Sequence, residues 1–125
     1  MMRLQMVLLT GLLFMLGCSG SEHERLVTEQ IRCTDEAAAI LEGLKDADSA
    51  NAARPKLKAL LQRMGEQLQK AGRLNELAPP ALQELEKKGE AALNRLKDAA
   101  RQALTRPGCA EVVREFQIEF RQLGQ

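Results

Sequence analysis

An all-α fold, an antiparallel up-down bundle of three to four helices behind a cleaved leader, is what three features of the 125-residue chain predict. Trp and Tyr are absent and Phe occurs only three times, while Ala, Leu, Glu, Lys, Gln and Arg abound, a composition that favours helices. Apolar residues recur at three- and four-residue steps in four separate segments. The breaks between those segments carry residues that stop one helix and start the next: Gly43 with Asp46-Ala47-Asp48-Ser49, Ala78-Pro79-Pro80, and Arg106-Pro107-Gly108.

The first segment differs in kind. Arg3 is its only charge, and Met6 to Leu16 is apolar apart from one threonine before Gly17 and Cys18. A spanning helix needs about 20 apolar residues, and this run is shorter. A basic start, a short apolar middle and a small residue at its end form the layout of a secretory signal. Residues 1–17 are therefore read as a signal peptide, 18–23 as the modified N-terminus and a short tether, and 24–125 as one helical domain.

Met15-Leu16-Gly17-Cys18 resembles the lipobox of bacterial lipoproteins. Gly17 and Cys18 fit the pattern, while Met15 stands where the family prefers leucine. The resemblance implies that the Cys18 thiol is joined to diacylglycerol, that the leader is cut before it, and that the new amine is acylated. Each buried methylene contributes about 0.8 kcal/mol, so two or more chains hold firmly without a spanning helix. Ser19 in place of aspartate implies the outer membrane, with the body facing the periplasm.

With Cys18 committed to lipid, Cys33 and Cys109 remain. A pair of thiols in an oxidising compartment usually forms a disulfide, and a loop of about 75 residues would contribute about 4.5 kcal/mol in the loop-entropy account. A buried thiol pair and a redox couple are the alternatives, the latter lacking a C-x-x-C. The bridge carries a geometric demand. Cys33 lies well before the end of the first helix and Cys109 at the start of the last, so residues 46–55 are expected to double back along the first helix.

In the body, Leu26, Cys33, Ala37, Ile40, Leu41 and Leu44 mark the inner side of the first helix, with Val27 and Ile31 beside them. Asp46, Asp48 or Ser49 can cap the second. Pro55 calls for a start near it or a kinked first turn. Leu57, Leu60, Leu61, Met64, Leu68 and Ala71 follow on one narrow arc. The third helix, opening near Pro80, turns in Leu82, Leu85, Gly89, Ala92, Leu93, Leu96, Ala99, Ala100, Ala103 and Leu104. Its small residues predict close approach of a neighbour and no wide cavity. Val112, Val113, Phe116, Phe120 and Leu123 form the inner side of the fourth. From about Leu44 to Phe116 the chain is similar to short helical proteins exported by some bacteria, through Lys45-Asp46-Ala47-Asp48-Ser49-Ala50 and Arg54-Pro55-Lys56-Leu57. That likeness implies architecture and no activity.

Charge is sorted along the chain. Residues 22–48 carry eight acids and three bases, and residues 54–73 carry six bases and one acid. The two helices could neutralise each other. Alternatively, a stripe of Lys56, Arg63, Lys70 and Arg73 could meet anionic lipid heads, wall polymer or an acidic partner.

Chemistry is sparse. His23 is the only histidine and falls in the tether, so neither serine nor cysteine has a base in the body. Glu111, Glu115 and Glu119 step along an outer face, and the inward Glu with Glu-x-x-His of di-metal bundles is missing. No catalytic residue, metal site or cofactor is expected. A net charge of +1 gives no basic footprint for nucleic acid, and the few aromatics give no stacking platform. The expectation is a non-catalytic, lipid-anchored envelope protein, structural or binding an unknown protein partner. The alternative is a periplasmic adaptor or chaperone-like module that takes an apolar ligand or client between its helices.

Overall fold

The computed structural model describes residue 22, residues 24–71 and residues 79–123. Among them are four helices and no strand: α1 (24–42), α2 (Ala47–Ala71), α3 (Pro79–Leu104) and α4 (Ala110–Leu123). The protein is an all-α helical bundle. Of the leader and tether expected over residues 1–23, only Glu22 lies within the described residues.

Helix α1 ends at Gly43, and α2 starts four residues later through a reciprocal cap. The Ser49 amide donates to Asp46 Oδ1 at 2.9 Å, and the Asp46 amide donates to Ser49 Oγ at 3.1 Å. Two of the donors left over at a helix start are thereby satisfied. This cap sets the helix start well ahead of Pro55, which sits inside α2. Proline there removes the donor that Asn51 C=O would accept. Both residues are exposed, so water can take that carbonyl. The expected doubling back of residues 46–55 does not occur; they are the opening turns of α2.

Consecutive helices run antiparallel. Along α1 and α2, Leu26 neighbours Leu68, Cys33 neighbours Arg63, and Ile40 neighbours Ala53. Along α3 and α4, Leu93 meets Phe120 and Ala100 meets Phe116 across one groove. The two hairpins then lie side by side, with like directions together. Ile31 of α1 lies by Gly89 of α3, and Asp35 and Glu42 reach Arg95. Arg54 of α2 reaches Glu115 of α4, and Leu123 lies against Gly65. Helix α4 packs on both α2 and α3.

The core runs through all four helices and contains Leu41, Leu44, Met64 and Val113, each at most 2% exposed. Burying such a side chain contributes about 1.5–3 kcal/mol. Most inward positions predicted by periodicity are buried. Ala38, Ala50 and Ala53 join them, while Leu68 is 40% exposed. Ala92, Ala99 and Ala103 of α3 are buried, as its run of small residues predicts.

The two turns at the far end of the bundle lock together. Arg106 Nη1 donates to the backbone oxygens of Leu41, Glu42 and Leu44 at 3.2, 2.9 and 2.7 Å. These are carbonyls at the end of α1, where no amide of the same helix is available and positive charge is favoured. Gly108 has φ +75°, and a Cβ placed there would stand 2.7 Å from Ala47 Cβ and 2.8 Å from Ala47 N. The Arg106-Pro107-Gly108 break is thus shaped to sit on the start of α2.

Candidate functional site

The residues singled out in the sequence do not converge. Cys18 and Arg73 lie outside the described residues. Cys33 and Cys109 do not form the expected bridge: both thiols are free and fully buried. Cys33 lies nine residues before the end of α1, about 13 Å along its axis, and neighbours Arg63 in the middle of α2. Cys109 lies beyond that end, with Sγ 3.4 Å from Asp46 O. Because residues 46–55 lead away into α2 and do not fold back, nothing carries Cys109 down to Cys33. Burial pushes the Cys33 thiol above its ordinary range, against an opposing pull from the Arg63 charge. Such a thiol stays protonated and unreactive.

Nor do the acids of α1 pair with the basic stripe of α2 in the way charge balance suggested. Arg95 of α3 takes Glu42 at 2.7 Å and Asp35 at 3.5 Å, while Arg32 takes Glu29 and Glu36 within α1. The Arg95 hydrogen bond lowers the Glu42 pKa, and the Arg32 hydrogen bond lowers that of Glu29. Lys56, Arg63 and Lys70 are exposed and make no ion pair within 4 Å among the described residues. Arg63 leans toward Cys33 and Glu29. The stripe is a solvated edge of α2, and of its described members only Lys56 borders a hollow, one of about 300 Å³ against α1.

A larger hollow lies on the opposite hairpin. Between α3 and α4 runs an open groove of about 420 Å³ with Leu93, Leu96, Ala100, Phe116 and Phe120 along it. Its volume is within the roughly 300–1,000 Å³ of small-molecule sites. Phe116 and Phe120 stack at 5.7 Å between ring centres and form one wall. Lys97 from α3 and Arg121 from α4 flank the groove, and no described acid lines it. Another hollow of about 320 Å³ between α1 and α3 shares Leu93 and Phe120 with this groove, so the apolar surface continues round α3.

Periodicity placed all five apolar groove residues inward; Leu96, Ala100 and Phe116 are buried in the core and Phe120 packs against it, while Leu93 is only half-buried. Periodicity does not reveal that α4, only 14 residues long, leaves one flank of α3 uncovered. The prediction that small residues exclude a wide cavity holds on the face carrying Ala99 and Ala103 and fails on the flank carrying Leu93 and Lys97. Lys97 and Arg121 went unnoticed because each is a single cation. One signal was available: at three- and four-residue spacing neither has an acid, since Lys97 is neighboured by Leu93, Asn94, Ala100 and Arg101, and Arg121 by Gln117 and Ile118.

No group of three or more His, Cys, Asp or Glu among the described residues could hold a metal ion, and no described helix is long and apolar enough to cross a membrane. No protein-family model matches the chain, and no curated protein or solved structure matches it either.

Proposed function

We propose that this protein is a non-catalytic, lipid-anchored component of a bacterial envelope, tied through Cys18 to the outer membrane and facing the periplasm. The observation that carries this reading is Gly17-Cys18 at the end of a short apolar run, directly ahead of a helical body. Acyl chains on Cys18 supply the attachment, and the body acts as a structural or protein-interaction module. The test is palmitate labelling of the full chain beside Cys18→Ala, followed by membrane fractionation. Label on the parent alone, with release of the variant from the membrane, is expected. An unlabelled parent, or a variant that stays membrane-bound, overturns the anchor.

The groove between α3 and α4 favours a second reading for the body, a module that binds an apolar ligand. Crosslinking the anchored protein in its own membrane separates the two. One reproducible protein target supports the interaction module, and recovery of lipid without a protein target supports the ligand module.

A further inference from the structure

We infer that the α3–α4 groove binds a single-chain fatty carboxylate, its hydrocarbon along Leu93, Leu96 and the two phenyl rings and its head between Lys97 and Arg121. The inference rests on the ligand-module reading and assigns that module its ligand class. Apolar walls alone would accept any hydrophobe. What selects an anion is the pair of cations, one from each helix, at a groove lined by no carboxylate of the described residues.

Neither cation pairs with a described acid within 4 Å. Nearby charges are accounted for elsewhere: Asp98 lies with Arg101, and Arg95 with Glu42. Lys and Arg stems can lie along apolar surface while their charged ends reach for an anion. A guanidinium also matches a carboxylate with two parallel hydrogen bonds, and an ammonium adds a compact charge. A single chain suits the slot because the stacked rings form one wall along its length and Leu93, Leu96 and Ala100 line the other. A neutral lipid would leave both cations without a partner, and a cationic amphiphile would be repelled.

Absence of Trp and Tyr makes an introduced indole the sole strong fluorophore. The full chain, anchored in phosphatidylcholine vesicles that hold no other protein, is prepared with Phe120→Trp, with Gln117→Trp as a second reporter in the same groove, and with Ala59→Trp on the exposed side of α2 as the background. Each is titrated with 9,10-dibromostearate, whose bromines quench indole on contact, and with dibromostearyl alcohol. Saturable quenching by the acid is expected at positions 120 and 117, with only a shallow linear response at 59. The alcohol should bind at least tenfold more weakly, and Lys97→Glu with Arg121→Glu should weaken the acid at least tenfold without altering helical content. Equal saturable binding of acid and alcohol, unaffected by the charge reversals, would overturn the carboxylate assignment and leave an apolar-ligand module standing. Linear responses at all three positions would sink both.

Discussion

Arg106 and Leu44 meet at 2.7 Å, side-chain Nη1 to backbone oxygen, and through that contact the break after α3 closes the end of α1. The same nitrogen reaches Leu41 and Glu42, so one side chain serves three carbonyls at and just past the end of α1, where helix-internal donors run out; the Leu41 oxygen also accepts from the Leu44 amide. Hydrogen bonds from a charged donor contribute about 1.5–3 kcal/mol. Arg106→Ala should lower stability by about 2–3 kcal/mol in urea titration followed by circular dichroism. Arg106→Lys should recover less than half, because the shorter lysine stem holds its nitrogen short of the point where the three acceptors converge.

Gly108 answers to two constraints at once, a positive φ and the Ala47 backbone 2.8 Å from where a Cβ would stand. A left-handed residue with a side chain costs about 1–2 kcal/mol, and overpacking adds about 1–3 kcal/mol. Gly108→Ala should therefore destabilise by about 3 kcal/mol, visible as a lower urea midpoint at unchanged slope. Adding Ala47→Gly should restore only part, since it removes the Cβ contact but neither the amide contact nor the strained φ.

Acid should weaken the fold through a small set of carboxylates. The Ser49 amide lowers the pKa of Asp46, the Arg95 hydrogen bond that of Glu42, and the Arg32 hydrogen bond that of Glu29. A carboxylate depressed in the folded state contributes its full stabilisation above its unfolded pKa, about 4. That contribution is lost as pH falls through the lower folded value. Thermal melts should be flat from pH 7 to 5 and fall below pH 4. Asp46→Asn should flatten part of that acid limb. Asp46 and Glu42 are exposed and Glu29 is half-buried, so each change will be small.

Thiol chemistry gives a sharp test of the arrangement of α1 and α4. With Cys33 and Cys109 both buried and free, reductant should leave the melting temperature unchanged. Maleimide should label neither residue in the native protein and both in urea, read by peptide mass spectrometry. A disulfide-linked peptide pair, or a melting temperature that falls on reduction, would contradict this geometry.

Much of the body was legible because its helices are separated by strong local signals. Asp46 and Ser49, Pro79-Pro80 and Pro107-Gly108 each mark a boundary that needs no tertiary information. Pro55 misled, since a proline reads as a break, whereas here a firm cap upstream and an exposed carbonyl at Asn51 let the helix run through it. Cys33 and Cys109 misled for a different reason: counting thiols says nothing about the distance between them. The groove was illegible because uncovered flank and buried face share the same residues. Leu93 and Phe120 read as core in any pattern, and only the arrangement of α4 on α3 exposes their outer sides.

Because each hairpin turns back on itself and like directions sit together, the start of α1 and the end of α4 share one pole, while residues 43–46 and 105–109 share the other. An addition following α4 would consequently emerge at the pole where α1 begins, the side from which the proposed anchor at Cys18 would extend. Cargo meant to stand clear of such an anchor belongs in the opposite cap, yet there Arg106 and Gly108 leave scant slack for an insertion.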